Sequence, residues 1–172
     1  MAAESISVQP SWGCGRMAEE KQPYLIFKLD EQAYALELTS VERVIRSVAL
    51  TVPPDAPPLL LGLLNLGGEM APVLDIRARF GLLSRPMELE DRIIICTCGG
   101  RKLAFPVDRV QGVVSFAPGA LDDPRQLMVD PPKTLTGVGR QDLDVILVYD
   151  LAAVFADYAV MPQAVDGGGP RR

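Results

Sequence analysis

Two aspartates stand at similar places in this chain, Asp75 in MAPVLDIRARF and Asp150 in DVILVYDLAAVF. Carboxylates brought together from two halves of a protein can share a proton and activate water. That dyad needs a tight Asp-Thr/Ser-Gly turn, whereas here the following residues are Ile76-Arg77 and Leu151-Ala152. An Asp between a strand and a helical turn is instead a good N-cap, its carboxylate accepting the free amides of the first turn. Capping is the reading adopted for both.

Other reactive groups are sparse. Cys96-x-Cys98 puts two thiols on one face of a strand, half of a zinc site. The chain has no histidine to complete it, and packed thiols in a β-core fit the pattern better. The absence of histidine also removes Ser-His-Asp and Cys-His catalysis. Gly62…Gly67-Gly68 lacks the following Lys-Ser/Thr of a phosphate loop and the spacing of a dinucleotide fingerprint. No catalytic residue, cofactor or metal is assigned, and the sequence points to a protein that is not an enzyme.

A net charge of -5 disfavours a nucleic-acid binder. No apolar run reaches the roughly 18 residues of a membrane helix. No secretory h-region follows the early Glu4, and three unpatterned cysteines suit a reducing cytoplasm. Residues 1–22, with Trp12, and 159–172, ending in DGGGPRR, read as flexible tails.

Between the tails the pattern is mainly strand. YLIFKL (24–29), a DEQ turn (30–32) and AYALEL (33–38) form one hairpin; RIIICTC (92–98), Gly99-Gly100 and RKLAFPV (101–107) form another. VILVYDL (145–151) is a strand. SVERVI (40–45) reads as a helical turn capped by Thr39 or Ser40, and LAAVFADY (151–158) as a helix near the C-terminus. PPDAPPLL (53–60) is a stiff extended connection.

The segments repeat. Gly62 to Phe80 lies over Gly137 to Phe155 at an offset of 75, so Met70, Val73, Ile76 and Phe80 meet Val145, Val148, Leu151 and Phe155. At an offset of 69, Ala35, Leu36, Leu38, Val41, Val44 and Ile45 meet Ala104, Phe105, Val107, Val110, Val113 and Val114. Two copies of one all-β unit follow, about 24–83 and about 91–158. A unit of some 60 residues buries a marginal core by itself, so the two should share an apolar seam.

The blocks YLIFKLDEQAYALELTSVERVI, GLLNLGGEMAPVLDIRARFG, RIIICTCGGRKLAFPVDRVQGVVSF and LTGVGRQDLDVILVYDL, in this order, resemble the CheW family of bacterial chemotaxis coupling proteins. The resemblance covers residues 23–158. It implies an all-β fold of two SH3-like five-stranded barrels packed on a common apolar seam, with short helices. It implies a non-catalytic cytoplasmic scaffold, monomeric alone. In chemosensory arrays it would join the tips of methyl-accepting chemoreceptors to the regulatory domain of a CheA-type histidine kinase and form rings with it.

By the same resemblance, a receptor helix would lie in a groove floored by Leu25, Leu38, Val41, Val44 and Val110, with Glu42 on its rim. The residues alone equally allow these aliphatics to be ordinary core. Gly62, Leu63, Leu64, Asn65, Leu66 and Gly67 match the kinase-facing turn of the family. There the pattern departs: Gly67 replaces the arginine of the family's N-L-R-G motif, removing a guanidinium contact. A second reading follows from that glycine, an adaptor that binds the kinase or another partner without ordinary receptor coupling.

Overall fold

The computed structural model describes residues 20–156. Residues 1–19 and 157–172, hence most of both expected tails along with Trp12, Cys14 and Tyr158, lie outside the described residues. Ten strands are found: β1 (Gln22–Leu29), β2 (Gln32–Glu37), β3 (Val41–Arg46), β4 (Leu60–Asn65), β5 (Met70–Leu74), β6 (Arg92–Cys98), β7 (Arg101–Val107), β8 (Arg109–Phe116), β9 (Leu135–Gln141) and β10 (Asp144–Tyr149). Three one-turn helices accompany them, α1 (Ile76–Arg79), α2 (Pro124–Leu127) and α3 (Leu151–Val154). α3 occupies the start of the stretch expected to be helical near the C-terminus.

The strands form two five-stranded sheets, in the orders β8-β1-β2-β10-β9 and β3-β6-β7-β5-β4. Each sheet therefore takes two strands from one half of the sequence and three from the other. The boundaries expected for the barrels, about 24–83 and about 91–158, are corrected accordingly: each repeat is a unit of sequence, and neither is a barrel. The chain changes sheets twice. A 3-10 turn at Leu38–Ser40 carries it from β2 to β3, and Asp108 carries it from β7 to β8. Strand exchange of this kind leaves neither half with a closed set of ladder partners of its own.

The repeat is nevertheless legible in the finest details of pairing. β1–β2 and β6–β7 are antiparallel hairpins with two-residue turns, Asp30-Glu31 and Gly99-Gly100, all four residues at positive φ. Single extra residues bulge from β3 at Glu42 and from β8 at Gln111, an offset of 69. Leu61 on β4 and Thr136 on β9 bulge likewise, at an offset of 75. One isolated bridge closes onto each barrel, Thr51 to Leu63 and Asp122 to Val138. At the first, a Cβ on Gly62 would lie 2.7 Å from Leu50 Cβ, closer than atoms pack, so glycine is required there.

The bulges also explain a misreading. Ser40–Ile45 is not a helical turn: the short 3-10 turn ends at Ser40, and Val41–Arg46 is β3. The V-x-x-V-[IV] spacing suggests a helix. An extra residue in a strand shifts its alternation by one, so Val41 and Val44 fall on the same face.

Burial follows a simple rule. β1 sends Tyr24 and Ile26 into one barrel and Leu25, Phe27 and Leu29 into a cluster shared by both sheets. β6 sends Ile93 and Ile95 into the other barrel and Ile94, Cys96 and Cys98 into the shared cluster. Both strands are covered on both faces, which is why YLIF and RIIIC run apolar without alternation. The shared cluster is the expected seam. Phe27 packs on Phe105 at 5.9 Å between ring centroids, and Phe105 on Phe155 at 6.0 Å. α1 and α3 close the seam with Ile76, Leu151, Val154 and Phe155.

Candidate functional site

β3 and β8 are the edge strands of their sheets, and here the seam comes near the surface. Val41 and Val44 stand opposite Cys96 and Ile94, and Val110 and Val113 stand opposite Phe27 and Leu25. Directly opposed residues in a ladder share a face, and all four of those partners belong to the seam. The four valines thus form two short apolar strips on the seam side. Leu38, Val41, Val44 and Val110 pack on the seam and are half-buried, while Val113 is 52 % exposed. Leu25, buried to 5 %, supports the strips from beneath.

Sequence reasoning named Val41, Val44 and Val110 but not Val113. The repeat could have supplied it, because Val113 is the counterpart of Val44. The strips are therefore matched about the relation between the halves: Val41 and Val44 on one side, Val110 and Val113 on the other.

Glu42 is the bulged residue between Val41 and Arg43. Its carboxylate accepts from Lys102 Nζ at 2.7 Å, and the same ammonium lies 3.7 Å from Glu69. The Glu42 hydrogen bond is the main cause holding Lys102 above its ordinary pKa, ahead of the opposing effect of burial. Glu42 is thus a paired charge, joined through β7 to the β4–β5 turn.

That turn contains the second set of candidate residues. Gly67 (φ 81°) and Gly68 (φ 104°) supply the left-handed conformation a two-residue turn demands. Leu66 N–H donates to Glu69 O at 2.7 Å, and Asn65 Oδ1 accepts from Gly68 N–H at 2.8 Å. Leu64 is buried inside the barrel, and Leu66 packs half-buried against the same interior. Gly62 is buried against Leu50. The segment presents Leu63, Asn65 and Gly67 outward, with the exposed Met70 opposite Asn65.

The structure joins one more group that sequence reasoning missed. Arg77, on α1, is 7 % exposed and donates to Asp30 from both terminal nitrogens at 3.0 Å, and to Asp108 at 2.7 and 3.0 Å. Arg85 donates to Asp108 at 2.7 Å and to Asp91 at 2.8 and 2.9 Å. Burial pushes the Asp108 carboxyl up, but the Asp30 amide, Arg77 and Arg85 together outweigh it and hold the group below its ordinary value. Every carboxylate faces a donor, so the cluster behaves as a fastener for the chain crossing rather than as a reactive site. Charges scattered from residue 30 to residue 108 give no local motif that would have revealed it.

The aspartates and thiols settle as caps and core. Asp75 accepts from the amides of Arg77 and Ala78, and from the Ser84 hydroxyl; Asp150 accepts from the amide of Ala152. Cys96 and Cys98 both lie in the seam. Burial pushes the Cys96 thiol up to about 12, helped by Cys98 and Glu42, and burial raises Cys98 as well, with Asp150 adding to it. Thiols in that state are poor nucleophiles and poor ligands. Among the described residues no helix is long and apolar enough to cross a membrane.

Comparison with known proteins agrees with this architecture. The crystal structure of the scaffolding protein TtCheW from Thermoanaerobacter tengcongensis superposes with a TM-score of 0.70 at 28% identity, covering 79% of this chain and 93% of that one. The chemotaxis protein CheW of Treponema pallidum is 23% identical over 150 residues, 80% of this chain and 84% of its own length. That of Thermotoga maritima is 31% identical over 98 residues, 57% of this chain and 64% of its own length. Residues 23–159 match the CheW-like domain. With ten strands exchanged between two barrels, matched bulges and a common seam, the chain belongs to the CheW-like domain family.

Proposed function

We propose that this chain is a non-catalytic scaffold that couples the signalling tips of chemoreceptors to a CheA-type histidine kinase in a cytoplasmic array. The observation that carries the reading is the pair of matched valine strips lying half-open over the seam. An amphipathic helix that covered them would bury its own apolar face at the same time. Each valine removed from water contributes at most about 1.5–3 kcal/mol, and these begin half-buried, so several must act together. The β4–β5 turn, with Leu63, Asn65 and Gly67 outward, is the surface proposed for the regulatory domain of the kinase. The isolated chain is a monomer in this reading, entering rings only beside the kinase.

Gly67 supports a second reading. It is exposed and offers no side chain where the family carries arginine, so an adaptor that engages the kinase or another signalling partner without receptors is the alternative. A pull-down against a receptor-tip hairpin and, separately, a kinase regulatory domain separates the two. Capture of both supports coupling, capture of the kinase domain alone supports the adaptor, and capture of neither sinks both.

A further inference from the structure

The valine strips are matched between the halves, but the charge beside them is not. On β3 the residue after Val44 on the same face is Arg46, and it stands directly opposite Arg92 of β6. Two guanidinium-bearing residues therefore share the seam side of the sheet, next to Val44 and Ile94. At the offset of 69 their counterparts are Ser115 and Pro23, which also oppose each other in register. The second half thus repeats the position of the pair and omits its charge.

Among the described residues the pair is not neutralised. Arg46 is exposed. Arg92 donates to the backbone carbonyls of Glu90 and Asp91 at 2.8 and 3.2 Å, which satisfies its hydrogens without cancelling its charge. The neighbouring Asp91 carboxylate is turned to Arg85. Neither Arg46 nor Arg92 makes an ion pair among the described residues. In a chain of net charge -5 this is a local field against the general one.

We infer that Arg46 and Arg92 fix the direction in which a helix lies on the valine strips, by selecting one with acidic side chains at one end of its apolar stripe. The inference rests on the proposed receptor-coupling role of the strips. Apolar strips repeated about the chain's internal symmetry would accept a helix in two poses related by that symmetry. Apolar contact alone barely distinguishes them, because it is not directional. A cationic pair on one side only separates the poses, by placing acidic groups beside arginine in one and beside Ser115 and Pro23 in the other. Charge at the edge of a contact works in this way, on orientation and on the rate of encounter.

The test is calorimetric titration of the full chain with a soluble receptor-tip hairpin in two forms, native and with the acidic residues flanking its apolar stripe changed to Gln. The native hairpin should bind about tenfold more tightly than the neutralised one at low ionic strength, with the difference shrinking as salt rises. Arg46→Glu should lower the affinity for the native hairpin to that of the neutralised form and cause little further loss with the latter. Arg46→Gln should fall between, and thermal melts should show both variants folded, since the side chain is exposed. Native-hairpin affinity unchanged by Arg46→Glu, while Val44→Asp abolishes it, would leave the strips as the docking surface and overturn the role of the arginines. Binding unaffected by Val44→Asp as well would remove the docking surface itself, and the inference with it.

Discussion

Arg77 and Asp108 meet across the two halves of the sequence, Nη2 to Oδ1 at 2.7 Å, at the point where the chain leaves one sheet for the other. Arg77 is supplied by α1 of the first half and Asp108 by the crossing between β7 and β8 of the second. With Asp30 at the tip of the β1–β2 hairpin, they bind three separate parts of the fold at one place. The bond has no counterpart at the other crossing: the repeat puts Thr39 and Ala152 where Asp108 and Arg77 would be.

Asp108→Asn should therefore cost about 3 kcal/mol, because it leaves two guanidiniums short of a carboxylate in a largely buried site. The pH dependence gives a second signature. Asp108 is held below its ordinary value near 3.8, so its contribution is present above that value and disappears as pH falls through the lower, folded value. Urea unfolding across pH 2–7 should show a constant gap between wild type and Asp108→Asn above about pH 4, closing as pH falls below it. Parallel curves throughout would show that the Asp108 charge does not stabilise the fold.

Strand exchange makes a different prediction about fragments. Residues 22–90 carry β1 to β5, which belong to two sheets, and the same holds for β6 to β10 in residues 91–158. Each fragment alone should lack cooperative unfolding by circular dichroism, and mixing the two should restore it. Two fragments that each melt cooperatively would mean that the sequence repeats are folding units after all.

The extent to which this was readable beforehand has a physical pattern. The hairpins, the caps and the repeat were legible, because each rests on local chemistry: Gly99-Gly100 at positive φ, Asp75 and Asp150 before helical turns, and apolar spacing that recurs at fixed offsets. The exchange of strands was not, since hydrophobic pattern records that a strand is buried and not which sheet it joins. Residues 40–45 misled because a bulge at Glu42 imitates helical spacing. Among the candidate residues, Val41, Val44 and Val110 were named by resemblance, and Val113 was reachable through the offset to Val44. Arg77 could not be placed with Asp30 and Asp108, as nothing in sequence relates residues that meet only after both crossings.

Leu25 and Val41 should separate support from contact. Val41→Asp, at a half-buried edge position, should stay folded and weaken receptor-tip binding tenfold or more, about 1.4 kcal/mol or above. Leu25→Asp should instead unfold the protein, since it would place a charge in the seam at a position only 5 % exposed. A Val41→Asp protein that no longer melts cooperatively would assign Val41 to the core and withdraw it from the docking surface.

The thiols give a prediction independent of any partner. In a Cys14→Ser background, native protein at pH 8 should react negligibly with Ellman's reagent, because burial raises both seam thiols and hides them from the reagent. Unfolding in guanidinium should then release two thiols per chain. Fast native labelling at Cys98 would indicate that the seam opens beside α3.

Gly67→Arg asks whether the missing guanidinium matters. A Cβ at Gly67 meets nothing within 4 Å, so the side chain has room, but the backbone sits at φ 81°, where an L-residue is strained. The substitution should cost about 1 kcal/mol in a thermal melt for that reason alone. Glu69, beside the turn and only 3.7 Å from Lys102, offers the new cation a nearby carboxylate. If this chain couples receptors to a kinase through the turn, the variant should stimulate kinase activity more strongly in a reconstituted array despite its lower stability. A stability loss with no change in stimulation would mean that Gly67 is retained for the turn, and that the kinase meets this chain without using the position.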